Sequence, residues 1–96
     1  VSDDVLRELY EVIEQRKEDL PEDSYTASLF THEKGVNAAL EKIGEESTEF
    51  VLAGKDGDAE ELAAEGADLV YHMLVVLAQN DVDVEKLLDE LRERRG

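Results

Sequence analysis

The chain has 96 residues, 26 acidic and 10 basic, with a formal net charge of −16 and no cysteine. That length is one domain with a marginal core, which a second subunit would most simply enlarge. The charge excludes a nucleic-acid backbone and an anionic membrane as partners, since both require clustered cations, and the lack of cysteine excludes disulfides and thiolate metal sites.

Hydrophobic periodicity predicts four helices and no strand. In the first, Val5, Leu9, Val12, Ile13 and Leu20 recur at helical spacing. Ser2 or Asp3 is the expected cap and Pro21 the stop. From Pro21 to about Thr31 the pattern is least regular. The second helix is expected from about His32 to Ala53, with Val36, Leu40, Ile43, Phe50 and Val51 as its apolar arc. Gly54 and Gly57 bracket a turn, with Gly54 as the expected C-terminal cap. The third helix is expected from about Asp58 to Gln79, broken by Asn80 and Asp81. The fourth carries Val84, Leu87, Leu88 and Leu91 behind an Asp83 cap. Arg92, Arg94 and Arg95 suit its negative pole. No internal repeat or domain boundary interrupts the chain, so residues 1–96 read as a single all-α domain.

The first residues are acidic and form no leader-like apolar segment. The longest nearly apolar run, Ala67 to Ala78, is shorter than the roughly 20 residues a bilayer span requires. A cytoplasmic protein is expected. Its acidic residues are spread over every helix, which fits a surface adapted to high intracellular salt better than it fits one acidic site, with plain solubility through self-repulsion as the alternative.

A few carboxylates resist that surface account. With Val36 set at zero on the second helix, Glu46 falls at about 280° and Glu49 and Lys42 at about 220° and 240°, bordering the apolar arc, while Glu45 points nearly opposite it at about 180°. With Leu62 set at zero on the third helix, Glu65, Asp68 and His72 fall at about 300°, 240° and 280° on one strip. From Leu69 to Ala78 only His72 is polar, so this helix is expected to be covered on nearly every side. Carboxylates at a core edge need a partner or a metal, and Lys42 is the one cation on the neighbouring strip. Glu46, Glu49, Glu65 and Asp68, paired i, i+3 on two helices, therefore point to a divalent cation. All-oxygen donors favour Mg²⁺, with Mn²⁺ as the alternative. Mg²⁺ keeps water and binds substrate phosphates, which indicates phosphate-ester chemistry on a nucleotide. An isolated Glu-x-x-Glu says little in so acidic a chain, where Glu8-x-x-Glu11 also occurs. His72 alone reads first as a hydrogen-bonded core histidine and second as a site residue. Tyr71, on the other side of the helix, reads as packing or a dimer contact.

Glu46-Ser-Thr-Glu49 followed by Glu65-Gly-Ala-Asp68 resembles the Glu-x-x-Glu…Glu-x-x-Asp signature of the all-α nucleoside triphosphate pyrophosphatases, which include the MazG and dimeric dUTPase-like families. Ser24-Tyr-Thr-Ala-Ser-Leu29, Lys42-Ile-Gly-Glu-Glu46 and Asp68-Leu-Val-Tyr-His72 further resemble segments of the phosphoribosyl-ATP pyrophosphatases, in order and spacing from about Ser24 to Arg95. The resemblance implies a homodimer of helical bundles. It also implies Mg²⁺-assisted hydrolysis of phosphoribosyl-ATP to phosphoribosyl-AMP and pyrophosphate, the second step of histidine biosynthesis. Glu46, Glu49, Glu65 and Asp68 are the expected metal ligands, with Glu46 or Glu49 as catalytic base. Lys42, Ser24, Tyr25, Thr26 and His72 are the expected substrate contacts. The cyclohydrolase of the next step, fused to this domain in many organisms, is expected on a separate chain. Two alternatives stand beside this reading. One is a house-cleaning pyrophosphatase of the same superfamily acting on another nucleotide. The other is a non-catalytic helical assembly module holding a structural ion.

Overall fold

The computed structural model describes residues 4–95. Among these residues the chain forms five helices and no strand: α1 (Asp4–Asp19), α2 (Tyr25–Phe30), α3 (Asn37–Asp56), α4 (Ala59–Gln79) and α5 (Val84–Arg94). The all-α expectation holds, and the count of four is corrected to five.

The additional helix, α2, lies in the stretch expected to be irregular. Six residues are too few to display a helical period or to hold a helix by themselves. Here the Ser24 hydroxyl accepts a hydrogen bond from the Ala27 N–H at 3.1 Å, and Ala27 and Leu29 are buried. Tertiary anchoring of those two side chains, together with the cap, outweighs the nucleation cost.

The ends of α3 are also corrected. It begins at Asn37, not His32, because the residues before it form a tight turn. The Lys34 N–H donates to His32 Nδ1 at 3.0 Å, the Gly35 N–H donates to the His32 carbonyl at 2.9 Å, and Gly35 takes a φ of +61°. At the other end Gly54 is inside the helix. Gly57 is the cap, left-handed at φ +71°, with its N–H on the Ala53 carbonyl at 3.0 Å. The cap expected at Asp83 is present, accepting from the Glu85 N–H at 2.8 Å, and Asp58, expected only as the start of its helix, caps α4 by accepting from the Glu61 N–H at 3.2 Å. The expected cap at Ser2 or Asp3 lies outside the described residues.

The core sits where α1, α2, α4 and α5 meet, around Ile13, Leu74, Val75 and Leu88. α1 is pinned across the corner between α4 and α5. The Tyr10 hydroxyl donates to the Val82 carbonyl at 2.6 Å. Lys17 Nζ donates to the Ala78 carbonyl at 2.8 Å and pairs with Asp81 at 2.7 Å. Arg7 forks onto the Glu85 carboxylate. α3 contributes Ala38 and Ala39 to this core, and beyond them it packs chiefly along α4.

The expectation that the helix now labelled α4 is covered on nearly every side fails within one chain. Val70 and Met73 are exposed on it, as are Leu40, Val51 and Leu52 on α3. A wholly apolar groove runs beside them, lined by Ile43, Met73, Val76, Leu77 and Leu87. Among the described residues no helix is long and apolar enough to cross a membrane.

Candidate active site

The strips expected on the second and third helices meet along the α3–α4 pair, and His72 is their centre. It is 5% exposed. Its Nδ1 lies 2.7 Å from a Glu46 carboxylate oxygen and 3.0 Å from the Asp68 carbonyl oxygen. Both neighbours are acceptors, so Nδ1 carries the hydrogen. In the neutral ring Nε2 then accepts from the Tyr25 hydroxyl, 3.0 Å away. A continuous line from Tyr25 through His72 to Glu46 thus joins α2, α4 and α3. The Glu46 side chain is only 13% exposed, and the imidazole N–H satisfies its inner oxygen. The first sequence reading of His72 therefore holds: it is a hydrogen-bonded core histidine, and its bonds reach Tyr25 and Glu46. With both ring nitrogens engaged, it positions Tyr25 and Glu46.

Tyr71 is a packing residue, one of the two roles expected of it, set against the core, but its contacts reach α2 and His72 and are not confined to the other side of its helix. Its hydroxyl is hydrogen-bonded to Thr26 Oγ1, and its ring packs edge-on against His72 at 4.8 Å. The long phenol reaches round to α2, which angular position on a helix cannot reveal. Its place beside His72, in the segment Asp68 to His72, was the available signal. Burial raises the hydroxyl pKa of both tyrosines. For Tyr25 the charges of Glu46, Asp68 and Glu45 add to the effect, whereas the Thr26 hydrogen bond opposes it at Tyr71.

One turn further along the pair, Glu49 faces Glu65. Glu49 lies within reach of a shared proton and pushes the Glu65 carboxyl up to about 7. Desolvation and the charges of Glu49, Asp68 and Glu61 act in the same direction. Among the described residues no N–H or hydroxyl donor reaches the buried Glu65 Oε2, a costly state for an ionised oxygen unless a proton or a cation is shared there. Asp68 and Glu49 are exposed beside it. Among the described residues no group of three or more His, Asp or Glu side chains is spaced to hold a metal ion as the side chains stand. The donor set nevertheless fits a hard divalent cation. Its atoms are all carboxylate oxygens, one is buried where no N–H or hydroxyl donor reaches it among the described residues, and crowding of like charge has raised a pKa.

The remaining expected residues fall around this centre. Glu45 is exposed, as its angular position implied. Lys42 is exposed one turn before Glu46 and makes no ion pair among the described residues. The Ser24 hydroxyl serves the α2 cap, Thr26 holds Tyr71, and the Tyr25 ring is half-exposed at the rim of a cavity. The structure thus brings Tyr25, Thr26, Glu46, Glu49, Glu65, Asp68 and His72 into one neighbourhood, with Lys42 at its edge.

Residues 6–95 match the family model described as phosphoribosyl-ATP pyrophosphohydrolase. Among curated proteins the chain is similar to a phosphoribosyl-ATP pyrophosphatase of Halobacterium salinarum, 72% identical over 93 residues that cover 96% of this chain and 98% of the relative. It is 64% identical to one of Haloarcula marismortui, over 96% of this chain and 94% of the relative. Identity is 51% to one of Geobacter sulfurreducens, over 98% of this chain and 85% of the relative. With the motif segments in order, the carboxylates paired across two helices and similarity along nearly the whole length, the chain belongs to the phosphoribosyl-ATP pyrophosphohydrolase family.

Proposed function

We propose that this chain hydrolyses phosphoribosyl-ATP to phosphoribosyl-AMP and pyrophosphate, the second step of histidine biosynthesis. The observation that carries the reading is the meeting of Glu49 with Glu65, whose buried oxygen no N–H or hydroxyl donor reaches among the described residues, beside a Glu46 held by His72. Membership of the family supplies the substrate.

Glu46, Glu49, Glu65 and Asp68 would hold Mg²⁺, or Mn²⁺ in its place. Held there, it would supply positive charge opposite the phosphate oxygens and would favour deprotonation of the attacking water. Water attacks phosphorus, the bond to the oxygen bridging the α and β phosphates breaks, and pyrophosphate leaves. His72 fixes the orientation of Glu46 by donating from Nδ1, and that engagement makes Glu46 the poorer proton acceptor. Glu49 is exposed to solvent, so of the two it is the better placed to take a proton from water as general base. Lys42 contacts phosphate. Tyr25 and Thr26, on the helix that Ser24 caps, form the wall against which the nucleotide lies.

The protein is proposed to act in the cytoplasm as a homodimer, with a separate cyclohydrolase consuming its product. Support for the dimer comes from the uncovered apolar residues of α3 and α4 and the groove beside them. The test is pyrophosphate release from phosphoribosyl-ATP beside ordinary ATP, in the parent and in Glu49→Gln and Asp68→Asn. Faster release from phosphoribosyl-ATP, lost together with its Mg²⁺ dependence in both variants, is the expected result. Equal turnover of other nucleotides would make the chain a general pyrophosphatase, and unchanged variants would remove these carboxylates from the mechanism.

A further inference from the structure

A cavity of about 180 Å³ opens between the end of α2 and the first turns of α3, and its wall includes Tyr25, His32, Lys34 and Lys42. In a chain of net charge −16, three nitrogen-bearing side chains in one wall are an unusual concentration. Each is available to an anion. His32 Nδ1 accepts the Lys34 backbone N–H at 3.0 Å, so in the neutral ring Nε2 carries the hydrogen and is a donor. Lys34 pairs with Glu41 at 3.1 Å, with both side chains more than half exposed, and such a surface pair is easily exchanged for a better one. Lys42 has Glu41, Glu45 and Glu46 within one turn of helix, yet pairs with none of them.

The cavity is joined to the carboxylate centre. Tyr25 stands in its wall and also donates to His72. Along α3, Lys42 precedes Glu49 by seven residues, about 10 Å of helix. That separation suits a substrate charged at two ends with a flat base between them. Ordinary ATP has one phosphate-bearing end, whereas phosphoribosyl-ATP has a second ribose phosphate on its adenine. Glu41 and Glu45 share the wall, so it has no net positive charge when His32 is neutral. It would not gather free phosphate from solution. It would recognise a phosphate delivered by the rest of a bound nucleotide, which benefits from a high effective concentration.

We propose that this cavity seats the phosphomonoester of the substrate's second ribose, with His32, Lys34 and Lys42 as its donors, and that it is the element distinguishing phosphoribosyl-ATP from ATP. The assignment rests on the activity proposed above.

The experiment compares kcat/KM for phosphoribosyl-ATP with that for the same nucleotide lacking its second 5′-phosphate, in the parent, in His32→Gln and in Lys34→Met. His32 and Lys34 are exposed, so the variants should fold, and circular dichroism checks that they do. Charge-assisted hydrogen bonds should give the parent a preference of about tenfold or more for the phosphorylated form. Each variant should reduce that preference severalfold, mainly through KM. Glu41→Gln, which removes a competitor for Lys34, should increase it. A parent that hydrolyses phosphoribosyl-ATP while both His32→Gln and Lys34→Met retain its full preference would overturn the subsite and leave the activity standing. A parent that does not hydrolyse phosphoribosyl-ATP would overturn both.

Discussion

Replacing His72 with leucine keeps an apolar body of similar size and removes both hydrogen bonds of the ring. The bond from Nδ1 to the Glu46 carboxylate is charge-assisted and contributes about 1.5–3 kcal/mol, and the bond from the Tyr25 hydroxyl contributes about 0.5–1.5 kcal/mol. Because Glu46 is only 13% exposed, water replaces the first poorly. The added apolar burial of leucine returns about 1 kcal/mol, leaving a net loss of about 2 kcal/mol. For a chain of this size that lowers the melting temperature by about 10 °C. Melting would be followed by circular dichroism at one fixed chain concentration, since assembly makes the midpoint concentration-dependent. Tyr25→Phe should cost less, and in the double variant its further cost should largely vanish, because the bond it removes is already gone. A His72→Leu protein melting within about 2 °C of the parent, or strict additivity with Tyr25→Phe, would refute the chain of bonds from α2 to α3.

Three further outcomes are expected. Gly57→Ala should destabilise by more than about 1 kcal/mol, because φ is +71° there. Gly54→Ala should stabilise by about 0.5–1 kcal/mol, because the new methyl meets only Leu62 Cδ2 at an ordinary 3.8 Å; chemical denaturation of the two variants checks the contrast. Arg7 holds the Glu85 carboxyl below its ordinary value of 4.5. The stabilisation from that pair is therefore complete above pH 4.5 and disappears as pH falls through the lower folded-state value. Arg7→Gln should flatten that part of the acid-unfolding curve, and an unchanged curve would refute the contribution. Lowering KCl from molar to millimolar should lower the melting temperature, since screening weakens from about 3 Å to beyond 10 Å in range. Mg²⁺ should restore part of the loss in the parent and less of it in Asp68→Asn. A flat salt series would refute adaptation to high salt, and equal rescue would show Mg²⁺ acting as a general counter-ion.

Much of this molecule is legible in its sequence, and the exceptions share a cause. Long amphipathic helices declare themselves by period, and the cap at Asp83 by its chemistry. The strip of Glu65, Asp68 and His72 follows from angular arithmetic, since side chains on one helix cannot avoid sharing a face. What escaped depends on contacts across helices. α2 is too short for a period and exists because Ala27 and Leu29 are buried against other elements. Gly54 and Gly57 are equivalent as letters, and only the observed backbone decides between them. The reach of Tyr71 to Thr26 crosses from one helix to another, as do the bonds that turn His72 from a plain core residue into the support of Glu46.

The carboxylates stand on a limb, not in the body of the molecule. No residue from 40 to 70 belongs to the principal core among the described residues, and the limb is two helices leaning chiefly on each other. It is therefore expected to open as a separate cooperative unit in amide exchange, with its amide hydrogens exchanging earlier than those around Leu74 and Leu88. Ligand and a second subunit would act on it far more than on the body, so protection there becomes a gauge of occupancy. The same division separates two kinds of evolutionary tolerance. Changes among Ile13, Leu74, Val75 and Leu88 threaten folding itself, whereas changes along the limb alter what is bound and leave the body intact.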